Sequence, residues 1–129
     1  MRRGVLVGLV GIVLGLAACG GGSGGGGGSS GGQSAGSTKI TMSDYKFAPA
    51  DPTVKSGKVT LLLVNTGSVS HDMVVMSSDG SKSVGRSELI QAGDSGVLTI
   101  DNLPAGTYQF ICDQPGHAAL GMKGTLTVS

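Results

Sequence analysis

Three side chains that can bind a soft or borderline metal ion lie within eleven residues of one another near the C-terminus. The segment reads FICDQPGHAALGMKG and contains Cys112, His117 and Met122, with four residues between each pair of neighbours. The whole chain has only two Cys and two His, so this concentration of donors is informative. Thiolate and thioether sulfurs favour copper over harder ions. The segment therefore indicates a metal site, and copper is the expected ion.

A fourth donor must come from elsewhere, because three ligands from one loop leave the site short of a strong donor. His71 opens the segment HDMVVM, where a loop enters a predicted strand. If the fold brings that strand end beside the Cys112 loop, His71, Cys112 and His117 form a plane with Met122 as a weak axial ligand. Two imidazoles, a thiolate and a distant thioether describe a blue copper site. Singly, a buried Cys or Met is often only core packing, so the prediction depends on all four.

The elements that must position these donors have the sequence pattern of strands. Alternation places Val59, Leu61 and Leu63 on one strand face, and turn pairs such as Thr66-Gly67 and Pro115-Gly116 separate the runs. The pattern predicts a compact all-β sandwich, with one possible helical turn at Ser87–Gln91. The strand-like runs are TKITM, KVTLLLVN, HDMVVM, GVLTID, GTYQFIC and GTLTVS.

The N-terminus has the features of a bacterial lipoprotein. Arg2 and Arg3 precede an apolar run of roughly 14 residues, which is shorter than the about 20 needed to span a bilayer as a helix and suits a signal peptide. The run ends in LAAC, which resembles a lipobox with Cys19 as the lipidated residue. The alternative is an ordinary signal peptide that leaves Cys19 free. If Cys19 is lipidated, Cys112 has no disulfide partner.

A Gly/Ser-rich segment separates this N-terminus from the strand-like runs. It has no apolar residue larger than Ala, so it cannot bury enough surface to fold and is expected to be a flexible linker. We therefore predict a signal peptide over residues 1–18, a lipidated Cys and linker over 19–37, and one folded domain over 38–129.

Charge and aromatic content argue against a nucleic-acid partner. The chain has a formal net charge of +1, and without Arg2 and Arg3 only 7 basic side chains remain against 8 acidic ones. Lys and Arg form no cluster, and two Tyr and two Phe offer little surface on which bases could stack. We expect no binding to nucleic acid.

Several segments together resemble the blue copper proteins of the cupredoxin superfamily, to which plastocyanin and azurin belong. The resemblance runs over most of residues 40–128. Its four-and-four ligand spacing is similar to that of auracyanin-like cupredoxins, which are membrane-associated electron carriers, whereas plastocyanins have a shorter Cys-to-His interval and azurins a shorter His-to-Met one. The segments that carry it are FICDQPGHAALGMKGTLTV, LPAGTY and YKFAPADPTVKSGKVTLLLVNTGSVSHDMVV.

The resemblance implies a Greek-key β-sandwich that holds one copper ion per domain, which cycles between Cu(I) and Cu(II). It implies His71, Cys112 and His117 as strong ligands and Met122 as the axial ligand. In such proteins the second His projects through an apolar patch where electrons enter and leave. The residues expected to form that patch here are Ala118, Ala119 and Leu120.

Two carboxylates next to the implied ligands depart from the commonest family pattern or add charge to it. Asp72 stands where these proteins often carry Asn, whose amide ties the two ligand loops together. A carboxylate accepts hydrogen bonds but cannot donate one unless it is protonated. Asp113 directly follows the thiolate ligand, and its negative charge is expected to favour the oxidised state.

The function implied is that of a one-electron carrier, not an enzyme, held at the outer side of a membrane by lipid and linker. The expected partners are redox proteins such as a cytochrome c, a membrane oxidoreductase or a terminal oxidase, and the protein is expected to be a monomer. A copper enzyme would need a further copper site, which two His cannot supply. Two alternatives remain: a periplasmic lipoprotein for copper transport or storage, and a structural β-sandwich that holds no metal.

Overall fold

The computed structural model describes residues 36–129, and this part of the chain consists of strands and connecting loops without a helix. The predicted signal peptide, Cys19 and nearly all of the linker lie outside the described residues. Among those described, no helix is long and apolar enough to cross a membrane. The strands are β1 (Ser37–Ser43), β2 (Lys46–Ala48), β3 (Thr53–Val54), β4 (Gly57–Asn65), β5 (Val74–Met76), β6 (Ser83–Arg86), β7 (Ser95–Leu103), β8 (Gly106–Ile111) and β9 (Lys123–Val128).

The strands form two mixed sheets. The first has the order β2-β1-β4-β7, and the second has the order β3-β9-β8-β5-β6. Strand β1 runs parallel to β4 and β3 runs parallel to β9, whereas the other neighbouring pairs are antiparallel. Each sheet therefore takes strands from both halves of the domain, so the site end is assembled from loops far apart in sequence.

The core lies between the two sheets and is built from the alternating apolar residues of their strands. Leu61 and Leu63 of β4 are buried in one core cluster with Phe110 of β8 and Leu126 of β9. Phe110 also packs edge to face on Phe47, with ring centroids 5.0 Å apart. Burying one side chain of this size contributes about 1.5 to 3 kcal/mol to the free energy of folding. The predicted all-β sandwich is confirmed.

The predicted helical turn at Ser87–Gln91 is wrong. Ile90 instead forms an isolated antiparallel bridge with His71, with backbone N–H to O distances of 2.8 and 3.0 Å. The Ser87 hydroxyl accepts a hydrogen bond from Met73 N and donates one to Glu88 O. Tertiary pairing with the His71 segment thus overrides the weak local helical preference, and the segment supports a predicted ligand.

Candidate metal centre

Three of the predicted ligands converge at one end of the sandwich. His71 Nδ1 lies 3.2 Å from His117 Nδ1 and 3.8 Å from Cys112 Sγ, and Cys112 Sγ lies 3.5 Å from His117 Nδ1. Three N and S ligands placed trigonally at metal bond lengths of about 2.0 to 2.3 Å would stand roughly 3.5 to 3.8 Å apart. The two separations that involve the sulfur fall in this range, and the two Nδ1 atoms stand somewhat closer, at 3.2 Å. The three donors are near enough to hold one metal ion, and the soft donor set suits copper.

The ligand loop between β8 and β9 is shaped by its own backbone hydrogen bonds. Cys112 N donates to Met122 O, and Met122 N donates to His117 O, each at 3.1 Å. Gly116 and Gly121 adopt φ values of 81° and 106° at its two turns, a conformation that other residues adopt at a cost. The bonds hold Met122 directly across from Cys112, and both side chains are fully buried. The axial role of Met122 stays a prediction.

His71 reaches the site from the loop before β5 and is fully buried. Its backbone is fixed by the bridge to Ile90, and the loop leading to it is organised by the buried Asn65. The Asn65 amide donates to Val69 O and to Ile90 O, and its carbonyl oxygen accepts from Gly67 N, all at 2.9 Å. The Ile90 carbonyl accepts from both Asn65 Nδ2 and His71 N, so this predicted ligand belongs to a continuous hydrogen-bond network.

Asp44, in the turn between β1 and β2, fixes the orientation of the His71 ring. The Asp44 carboxylate lies 3.2 Å from His71 Nε2 and is also bound by the Ser68 hydroxyl and Ser68 N. These hydrogen bonds lower the pKa of Asp44, and the bond from the Ser68 hydroxyl has the largest effect. With Nε2–H donating to a carboxylate, the Nδ1 lone pair of His71 faces the other ligands, as a metal requires.

The neighbouring Tyr45 covers both histidine rings. It adopts a positive φ of 71°, which allows the turn to present its ring to the site. The ring packs edge to face on His117 with centroids 5.0 Å apart, and on His71 with centroids 6.5 Å apart. His117 remains partly exposed, whereas His71 is sealed from water. Tyr45 thus contacts both rings of the site, and of the two histidines only His117 reaches the surface.

The Asp72 carboxylate links the segment that carries His71 to the segment that carries Cys112. Its Oδ1 accepts a hydrogen bond from Asp113 N at 2.7 Å and lies 3.5 Å from Cys112 Sγ, so the carboxylate does tie the two ligand segments together. Its Oδ2 accepts from Arg86 Nη2 at 3.1 Å, and the same guanidinium also binds the carboxylate of Asp113. Both carboxylates raise the pKa of Arg86.

The buried Cys112 thiol is held in its neutral form when no metal is bound. Burial is the main cause that raises the pKa of Cys112, and the adjacent Asp72 carboxylate adds to it. A metal that binds here must displace the thiol proton, because the thiolate is the ligand.

The predicted apolar patch lies on the surface beside His117. Leu120 is 63% exposed, Ala119 is exposed and Ala118 is half-buried. Tyr45 and Val69, which were not predicted to take part, are also partly exposed apolar side chains next to the two histidines in sequence or in space. Electron transfer through this patch stays a prediction.

Sequence reasoning missed Asp44, Tyr45 and Arg86. The first two occupy a two-residue turn between β-rich runs, and such a turn marks a strand end without indicating which end of the sandwich it reaches. Arg86 belongs to β6, which has no clear alternating pattern. The only available signal was the unusual pair of carboxylates at Asp72 and Asp113, which predicts a cation nearby.

Comparison with known proteins agrees with the geometry. A model of the cupredoxin-like domain matches residues 14–128. Auracyanin-A from Chloroflexus aurantiacus is 31% identical over an alignment that covers 100% of this chain and 98% of the relative. Auracyanin-B from the same organism is 36% identical over 78 residues, which cover 59% of this chain but only 33% of the relative.

Two further similarities bear on the fold and on copper. A crystal structure of auracyanin B superimposes with a TM-score of 0.67 at 25% identity, covering 76% of this chain and 91% of that structure. The copper-resistant cuproprotein CopI of Rubrivivax gelatinosus is 28% identical over 108 residues, which cover 71% of this chain and 66% of the relative. The described sandwich is thus similar in fold to a solved auracyanin.

Proposed function

Because the chain belongs to the cupredoxin-like domain family, we propose that it is a type 1 copper protein that transfers single electrons. The observation that carries the proposal is the convergence of His71, Cys112 and His117, whose donor atoms all lie within 4.8 Å of one another. When bound, copper would supply a centre that accepts and gives up one electron. Met122 would be the axial ligand.

The protein's own residues would keep the ligand geometry the same in both oxidation states. The bridge to Ile90 fixes the backbone of His71, and Asp44 fixes its ring. Hydrogen bonds from Cys112 N and Met122 N close the ligand loop on itself. Burial of Cys112 excludes water from the sulfur, while the partly exposed His117 and the adjacent Leu120 offer a short route to a partner protein.

We place this carrier outside the cytoplasm, tethered to a membrane. The support is in the sequence: a signal-like apolar run, the lipobox cysteine Cys19 and a Gly/Ser-rich linker. A tether of this kind raises the local concentration of membrane-bound redox partners. A cytochrome c, a membrane oxidoreductase or a terminal oxidase would suit a monomeric carrier of this size.

Visible absorption and electron paramagnetic resonance spectroscopy test the proposed function. The sample is the purified full chain with Cys19→Ser, so that Cys112 is its one thiol, loaded with Cu(II). We expect an intense thiolate-to-copper band with narrow copper hyperfine splitting, lost on reduction and recovered on oxidation. The band should be absent from the same chain with Cys112→Ser. Stoichiometric copper binding without the band would refute electron transfer through a blue centre.

Copper transport or storage is the second candidate, and the similarity to the copper-resistant cuproprotein CopI favours it. His71 and Cys112 are fully buried. This burial favours a permanent copper centre, because a site that delivers copper must release it readily and is expected to be exposed. A chelator competition separates the two. A carrier of electrons should hold Cu(I) against a chelator for hours, whereas a transport protein should release it within the mixing time.

A further inference from the structure

An unusual concentration of charge lies beside the thiolate ligand. The Asp72 carboxylate, whose side chain is only 4% exposed, places Oδ1 at 3.5 Å from Cys112 Sγ. Both of its oxygens are used, one by Asp113 N and the other by Arg86. The thiolate charge would be shared with the bound copper ion, but the Asp72 carboxylate is not a predicted ligand, and a buried carboxylate is costly unless a cation lies close to it.

Arg86 is the cation that the described residues place there. Strand β6 pairs with β5 so that Arg86 is opposite Val74, just beyond the Asp72 position. The Arg86 side chain is 53% exposed, and its guanidinium binds both the carboxylate of the buried Asp72 and that of the half-exposed Asp113. Asp72 directly follows His71, and Asp113 directly follows Cys112. The guanidinium therefore bridges the two segments that carry these predicted ligands.

We propose that Arg86 is the counter-charge that permits two carboxylates beside the Cys112 thiolate and thereby sets the reduction potential of the site. The inference rests on the proposed copper function. The group Asp72, Asp113 and Arg86 has a net charge of −1. Loss of the guanidinium would leave −2 next to the sulfur and favour the more positively charged Cu(II) form. Loss of the Asp113 charge would leave zero and favour Cu(I).

A charge series measured by protein-film or solution voltammetry tests this. Arg86→Gln should shift the balance toward Cu(II) about tenfold, which lowers the potential by about 59 mV for one electron. Asp113→Asn should shift it in the opposite direction. The double variant Arg86→Gln/Asp113→Asn restores the net charge of −1 and should return the potential toward that of the parent, while Arg86→Lys should keep it.

Lys82→Gln is the matched control. It removes one positive charge from the same β5–β6 hairpin, but from an exposed position four residues before Arg86, or about 13 Å along a strand. It should leave the potential unchanged. A potential in Arg86→Gln equal to that of Lys82→Gln would overturn the proposal. So would a double variant as displaced as Arg86→Gln alone, because that result would indicate a structural and not an electrostatic role.

A metal-free measurement keeps this proposal distinct from the proposed function. In urea unfolding of the metal-free chain, Arg86→Gln should lower the folding equilibrium constant at least tenfold, since it leaves the buried Asp72 carboxylate without its cation. Arg86→Gln/Asp72→Asn should recover part of that loss. A parent protein without the blue band would refute the copper function and the effect on potential together. A blue parent with no coupling between Arg86 and Asp72 would overturn the Arg86 proposal alone.

Discussion

At the scale of single residues, the chemistry of the site depends on a cysteine that is neutral until metal arrives. Burial raises the pKa of Cys112, so the folded metal-free protein prefers the thiol and the metal-bound protein requires the thiolate. A group whose pKa is raised on folding stabilises the fold below its unfolded pKa, and this contribution is lost as the pH rises through the folded pKa.

The first prediction is therefore that raising the pH lowers the stability of the metal-free protein but raises its affinity for copper. The free energy of unfolding of the metal-free protein should fall as the pH rises above about 8.5, and copper affinity should rise about tenfold per pH unit while the free thiol is protonated. At pH 8, copper should release about one more proton from the parent than from Cys112→Ser, measured in weakly buffered solution. Equal proton release from both would contradict a buried neutral thiol.

A second residue-scale prediction concerns Asp44. Asp44→Ala removes the acceptor of His71 Nε2–H, and losses of such outer partners typically cost 10- to 100-fold in metal affinity. Asp44→Asn keeps a carbonyl oxygen and should retain most of the affinity, measured by competition with a Cu(II) chelator. Asp51→Ala, which removes a carboxylate from another exposed position, is the control. Equal affinities in Asp44→Ala and Asp51→Ala would show that Asp44 does not orient the ring.

The candidate ligands could be named from sequence because Cys and His are rare in this chain and because Cys112, His117 and Met122 are closely spaced. Asp44 and Arg86 were not, because acidic and basic residues are common on surfaces and their roles depend on which strand end they reach. The role of Asp72 was predictable only in part. Its position beside His71 indicated a contact with the site, but the sequence did not indicate that Arg86, 14 residues later, would bind its carboxylate.

At the scale of elements, the site depends on the close crossing of the β1–β2 turn and the loop between β4 and β5. Gly67 lies at that crossing. A Cβ atom there would collide with Asp44 Oδ1 and stand 3.1 Å from His71 Nε2. The need for glycine thus comes from lack of space, and the contact that orients His71 forms only because the loop backbone approaches so closely.

The third prediction follows from that crossing. Gly67→Ala should force Asp44 away from His71, lower copper affinity and alter the copper hyperfine splitting. Gly80→Ala is a matched control, because Gly80 has a positive φ of 73° but open space around it. That control should lower stability through backbone strain alone and leave the spectrum unchanged. A normal spectrum in both variants would show that the crossing does not shape the site.

The sequence predicted the long alternating strands well and the short ones poorly. The runs around β4, β7, β8 and β9 alternate clearly because one of their faces is buried. Strands β2, β3 and β6 have only two to four residues, too few to show a period. Their pairing comes from neighbouring strands, and local sequence does not encode it.

At the scale of the whole molecule, the two packed sheets bring four segments together at one end: the β1–β2 turn, the β4–β5 loop, the segment around Ile90 and the β8–β9 loop. His71, Cys112 and the Asp44 turn come from separate segments, and hydrogen bonds between protein groups join them. We expect a site held in this way to need little rearrangement when the oxidation state of a bound copper ion changes. We expect the exposed apolar side chains beside the site to determine how closely the redox centre of another protein can approach.

The last prediction tests that surface by electron self-exchange, which needs no second protein. Leu120→Glu places a like charge on both copies as their His117 faces meet, and like charges at an interface cost several kcal/mol. The self-exchange rate, read from nuclear magnetic resonance line broadening in mixtures of oxidised and reduced protein, should fall tenfold or more. The reduction potential should change little, because Leu120 is 63% exposed and solvent screens the new charge.

The control for this prediction is Val97→Glu, which changes a side chain that is 57% exposed on β7, outside the predicted patch. This variant should exchange electrons at the parent rate. Equal slowing in both variants would mean that net charge, and not the face around His117, controls electron transfer.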